Sequence, residues 1–236
     1  MTLGSRVLGA LDEVYDPELD QPITTLGFVI ACEVSPDGDV GIRLQLPTPQ
    51  CAPNFAYLMA AGARDAVRRL PGVRTVTVML VDHYTGDEIN SSLSRGDGFA
   101  SAFPGETSDD EELRALRELF RRKALIARQS RICETLLAAG ETPEGICRRM
   151  VAELPDSVDG RRCLELRMEL GISSATQAPA FVLPDGTPIA PEELTRWLRI
   201  ARLARISLEV NGGICRSLLR VHRGVEIEDP EEVVLP

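Results

Sequence analysis

The chain has 236 residues, 44% hydrophobic, 26% charged and only 4% aromatic, with a formal net charge of -10. That length suits two domains of roughly 100 to 140 residues, each with a Leu/Val/Ala/Ile core. The acidic balance excludes non-specific binding to nucleic acid or an anionic membrane, both of which need a basic footprint. Arginine supplies all the basic residues except Lys123, so a Walker A loop and a Schiff-base lysine are excluded as well. The first residues carry neither a basic n-region nor a long apolar stretch, so a cytoplasmic protein is expected, with its six cysteines reduced.

In chain order, Leu3, Val7, Leu8, Leu11 and Val14 recur at three- and four-residue steps and predict an amphipathic helix over 3–15, ending at Asp16-Pro17. Phe28, Ile30, Cys32 and Val34 alternate, as do Val40, Ile42, Leu44 and Leu46. The Pro36-Asp37-Gly38-Asp39 turn between them makes the pair an antiparallel hairpin. Pro53 opens a second helix through Leu70, Pro71-Gly72-Val73 stops it, and "VRTVTVMLV" is a third strand. The predicted fold is α+β: a small two-layer α/β sandwich of helix, hairpin, helix and strand over residues 1–93, followed by a mainly α-helical second domain.

Residues 94–110, rich in Gly, Ser and Asp, are the expected linker. The second domain, 111–236, reads as helices near 109–139, 143–154 and 158–170. A short apolar strand with a β-turn follows near 179–190, and two last helices near 191–206 and 211–222 are either separate or one element interrupted at Asn211-Gly212-Gly213. "RICETLL" at 131–137 faintly echoes "GICRSLL" at 213–219.

Chemistry points first to "LPTPQCAPNF" at 47–56. Cys51 stands before the second helix, where unpaired backbone amides present a positive pole that favours a thiolate, and Pro47, Pro49 and Pro53 stiffen the loop. A small packed hydrophobe is the other role open to Cys51. His83, beside Asp82, Asp87 and Glu88, offers a nitrogen/oxygen iron site or a plain surface histidine. His222 falls at a helix end, where it would cap. Cys133, Cys147, Cys163 and Cys215 form no CxxC pair and read as core cysteines on helices. Arg196, Arg199, Arg202 and Arg205 recur every third residue, as a solvated face or a docking surface for an acidic client.

Asp16-Pro17-Glu18, Leu26-Gly27, Thr48 with Cys51, and Pro71-Gly72-Val73 stand in an order and spacing that resemble the small iron-sulfur assembly domain typified by the phenylacetate-pathway protein PaaD and the SufT proteins. The resemblance covers about residues 3–82. It departs from that pattern at Cys51-Ala52-Pro53, one residue longer than the usual Cys-Pro, and at "DHYTGDEIN", where a Pro- and Trp-containing segment is usual. This second departure and the Arg-rich extension resemble longer members associated with bacterial multicomponent diiron monooxygenases.

The resemblance implies a non-enzymatic accessory factor that assembles or delivers iron or an iron-sulfur cluster, held transiently, to a client metalloenzyme or to other assembly proteins. Cys51 would be the thiolate ligand, with Asp16, Glu18 and Thr48 in the functional loop. Asp16 and Glu18 read alternatively as solvated turn residues. A centre bridged by two Cys51 residues would call for a homodimer. Two other functions stay open: a protein adaptor with a structural Cys51, and a thiol enzyme with Cys51 as nucleophile and His83 as base.

Overall fold

The computed structural model describes residues 2–103 and 111–224. They fall into two compact units, one drawn from Met1–Arg114 with Val210–Pro236 and the other from Ala115–Glu209. The architecture is α+β, small sheets with helices followed by a mostly helical stretch.

In the first unit, α1 (Leu3–Asp12) starts where the Thr2 side chain accepts the Ser5 N–H, and it buries Val7, Ala10 and Leu11. It stops three residues short of the span that periodicity gives. Tyr15–Asp16 (β1) instead pairs antiparallel with Gln21–Pro22 (β2), closing a tight loop around Asp16.

The main sheet has the order β3-β4-β5. β3 (Val29–Val34) and β4 (Asp39–Gln45) form the predicted hairpin, and β5 (Thr75–Val81) runs parallel to β4. A parallel neighbour needs a crossover, which α2 (Pro53–Arg68) supplies, with Pro53 in its first turn. Val40, Ile42, Leu44 and Leu46 are all buried, as their alternation requires. β3 departs from strict alternation. Phe28 is buried but Ile30 is 37% exposed, because the pairing register shifts between Val29 and Ala31 and turns Ile30 outward.

The stretch after β5 is more ordered than its composition predicts. α3 (Gly86–Arg95) and α4 (Phe99–Ala102) occupy it, and Ile89, Leu93, Phe99, Ala102 and Phe103 join the same core. Gly96 ends α3 in the left-handed conformation, so one glycine of the presumed linker is a helix C-cap. Tyr57 packs edge-on against Phe99 with centroids 5.3 Å apart and donates its hydroxyl to the Asp97 carbonyl. Over its described part, the expected linker is therefore folded structure; its residues 104–110 lie outside the described residues.

The second unit is built on α5 (Glu111–Ala138, from Ala115), α6 (Pro143–Arg148), a 3-10 turn at Val151–Glu153, α7 (Val158–Glu169) and α8 (Pro191–His222, to Glu209). In place of a strand, residues 179–190 make isolated bridges, Met150 with Pro179 and Val182 with Pro188. The buried Gln129 amide donates to the Val182 carbonyl and accepts the Val182 N–H, doing for this segment what a neighbouring strand would do.

α8 is one helix, unbroken at Asn211-Gly212-Gly213, and from Val210 its residues group with the first unit. The 111–236 boundary expected for a second domain thus differs from the observed grouping at this end. Each glycine costs about 1 kcal/mol of helix propensity. The burial of Leu219 and the packing of Cys215 against the first unit's core offset that cost.

Candidate functional site

The parallel pairing of β4 and β5 sends two connections off the same end of the sheet. One is the loop from Leu46 to Ala52, and the other is Asp82-His83-Tyr84. Crevices beyond the carboxyl ends of parallel strands are where α/β sheets present ligand-binding groups.

Cys51 is half-buried, one residue before the Ala52 cap of α2. Its loop is held at four points. The Cys51 N–H donates to the Thr48 carbonyl at 3.3 Å, and the Thr48 hydroxyl stands 3.6 Å from the Cys51 sulfur. The Tyr84 N–H donates to the Pro49 carbonyl at 3.0 Å, and His83 Nε2 meets the Cys51 carbonyl at 2.7 Å.

The state of His83 follows from its neighbours. Nδ1 accepts the Thr85 N–H at 3.3 Å, which leaves Nε2 to carry the proton and donate to Cys51. Burial holds the imidazole below its ordinary pKa, against the opposing pull of that hydrogen bond. Both ring nitrogens are therefore engaged, Nε2 with the Cys51 loop and Nδ1 with Thr85 in its own turn. Asp82 adopts a left-handed φ of 52°, a conformation Asp tolerates, and that bend aims His83 back across the sheet end.

The acidic neighbours offered with His83 as iron ligands do not gather on it. Asp82, Asp87 and Glu88 are exposed, and Asp82 accepts the Gln45 side-chain N–H at 2.7 Å. Among the described residues, no group of three His, Cys, Asp or Glu is arranged to hold a metal ion.

Asp16 is not a solvated turn residue. It is 7% exposed, and its Oδ1 accepts the N–H groups of Glu18 at 2.9 Å and Leu19 at 2.8 Å. Its carboxyl is pushed up to about 6, mainly by burial; the two N–H bonds pull it down, and the Glu18 and Asp20 charges add to the rise.

Sequence reasoning placed Cys215 with the core cysteines and so passed over its surroundings. Its thiol is pushed up to about 11, first by burial and then by Asp16, Cys51 and Glu18. Those are residues of the functional loops. No periodicity could reveal this, since 164 positions separate the two cysteines along the sequence.

Cys133, Cys147 and Cys163 lie in or against the second unit's core, where burial, and after it the proximity of Cys147 and Cys163, raises the Cys133 thiol. Arg196, Arg199 and Arg202 are exposed, but Arg205 is held by Glu134 at 2.5 Å and Glu209 at 3.8 Å, so the series presents three free-facing positions. His222 Nδ1 stands 3.4 Å from the Leu46 carbonyl at the base of the Cys51 loop.

Residues 5–78, which contain Asp16, Glu18, Thr48 and Cys51, match the family described as iron-sulfur cluster assembly protein. An uncharacterized protein of Methanocaldococcus jannaschii is 36% identical over 93 residues, covering 39% of this chain and 96% of that protein. The chain belongs to the iron-sulfur cluster assembly family. Within that family, the Fe-S protein maturation auxiliary factor YitW of Bacillus subtilis is 32% identical over 79 residues, 34% of this chain and 76% of its own length. The iron-sulfur cluster carrier protein of Mycobacterium tuberculosis is 37% identical over 78 residues, 33% of this chain, and the match spans 20% of that carrier. The family stretch lies within the first compact unit, ends before His83, and leaves out Cys215. Among the described residues, no helix is long and apolar enough to cross a membrane.

Proposed function

We propose that this chain is a non-enzymatic maturation factor that takes up iron or an iron-sulfur cluster at Cys51 and passes it to a client metalloenzyme. The observation that carries the proposal is the Cys51 loop itself. A thiol at the start of a 16-residue helix is fixed through the Thr48, Pro49 and Cys51 backbone by hydrogen bonds, within a chain of the iron-sulfur assembly family.

A soft sulfur donor suits iron and iron-sulfur centres, and a ligand shell the protein leaves incomplete keeps coordination positions open for a recipient's thiolates. The rigid loop lets the sulfur engage cargo with little ordering cost. The names of the relatives, a cluster carrier and a maturation auxiliary factor, favour the same role. In this reading the helical unit recognises the client, with Arg196, Arg199 and Arg202 available to an acidic surface. A multicomponent diiron monooxygenase is the client class that the sequence resemblance names.

Transfer tests the proposal. Chain loaded anaerobically with ferrous iron and sulfide should convert an apo iron-sulfur acceptor to its holo form at a rate that an iron chelator in the buffer does not reduce. A rate that falls with chelator to that of free iron and sulfide would mean that the chain does not carry the cargo.

A further inference from the structure

The C-terminal part of α8 lies across the loops that form the Cys51 site. The Asn211 side-chain N–H donates to Glu18 at 3.4 Å, and Arg216 donates to the Gln21 side chain at 2.8 Å. Leu219 is 4% exposed in the first unit's core, His222 reaches the Leu46 carbonyl, and Arg223 donates to the Gln45 side chain at 3.0 Å. Residues 211, 215, 219 and 222 follow steps of three and four, so they share one face of the helix. Cys215 is therefore in the middle of the face turned to these loops.

A Cβ on Gly212 would stand 2.9 Å from Nε2 at the movable end of the Gln21 side chain, so α8 lies against the first residue of β2 about one turn before Cys215. Both Cys51 and Cys215 pack half-buried against the same core, and Asp16, Glu18 and Cys51 are near enough for their charges to bear on the Cys215 sulfur.

We infer that Cys215 is the second thiol of the Cys51 site, so that iron or an iron-sulfur cluster is held between the α2 loop and the C-terminal part of α8. The inference rests on the function proposed above and specifies how its cargo is held. When ferrous iron binds, the two S–H bonds break and their protons pass to solvent. Two Fe–S bonds form, and no electron is transferred. Two thiolates leave half of a tetrahedral iron's positions for sulfide, solvent or an acceptor's thiolates, which suits cargo that must leave again. Cys215 sits outside the family stretch, so the second thiol belongs to the extension and not to the shared domain.

Thiol footprinting on the full chain tests this without a substitution. Loaded anaerobically with ferrous iron and sulfide, the chain should show both Cys51 and Cys215 alkylated by iodoacetamide about tenfold more slowly than in the unloaded chain. Cys32, also half-buried in the first unit, should react equally in both states. A Cys215→Ser chain should lose iron to a chelator at least about tenfold faster than wild type, since losing even an outer partner of a metal ligand costs that much, while Cys32→Ser matches wild type. Cys215 reactivity unchanged by cargo, or wild-type release from Cys215→Ser, overturns the inference. If Cys51→Ser fails to load in that same experiment, the carrier function stands without Cys215. If wild-type chain takes up no iron, both fall together.

Discussion

Gly38→Ala should destabilise the first unit by about 3 kcal/mol, read as the fall in urea midpoint at constant slope. Gly38 has φ +85° in the hairpin turn, where any side chain is strained, and an added Cβ would lie 2.3 Å from the Gly72 carbonyl oxygen. That oxygen is backbone and has nowhere to go. Around it the Arg74 N–H donates to the Gly38 carbonyl at 2.8 Å, and Asp39 accepts from Arg74 and from the Thr75 hydroxyl, at 2.6 Å. The β3–β4 turn and the Pro71-Gly72-Val73 turn thus lock together at the end of the sheet away from Cys51. Gly96→Ala provides the control: its φ is +77°, but nothing lies within 4 Å of the added Cβ, so it should cost only the conformational strain of about 1 kcal/mol. Equal effects of the two substitutions would contradict this packing.

Asp16→Asn should make the metal-free chain more stable at pH 7 to 8 and leave it unchanged near pH 4. The folded-state value for Asp16 is raised from 3.8 to about 6, so the native state holds the proton more tightly than the unfolded one. The stability this contributes is fully present below pH 3.8 and is lost as pH rises through about 6. Above that, the buried carboxylate costs on the order of 3 kcal/mol. Asn keeps an oxygen to accept the Glu18 and Leu19 N–H groups while removing the charge. Thermal melts of both chains across pH 4 to 8 should therefore converge at the acid end and diverge at the neutral end. Melts that run parallel across the range would show that Asp16 is ionised without penalty.

The hairpin, α2 and β5 were legible because two local signals agreed at each, an apolar period and a Pro or Gly where the backbone must turn. Val40, Ile42, Leu44 and Leu46 are buried just as they alternate. The resemblance singles out Cys51 and Asp16 as candidates because each stands beside turn residues, Cys51 in the loop before α2 and Asp16 at the end of β1.

What was not legible depended on tertiary contact. Residues 94–103 look like linker because Gly, Ser and Asp serve equally as caps and as loops; only Phe99 and Phe103 meeting the core shows them to be folded there. Asp16 looks solvated until the β1–β2 pairing closes over it. Gly212 and Gly213 look like a break until Cys215 and Leu219 are seen packing on the first unit. His83 reads from sequence either as an iron ligand or as a plain surface histidine, because composition cannot show that its two nitrogens are engaged by Thr85 and Cys51.

Iron and acid-labile sulfide content after anaerobic reconstitution, wild type beside Cys51→Ser, tests most directly whether Cys51 holds the cargo. Wild-type chain should retain both iron and sulfide through gel filtration, with a visible absorption spectrum, and Cys51→Ser should retain neither while melting within a few degrees of wild type. Equal iron and sulfide in the two chains would contradict a cargo site at Cys51.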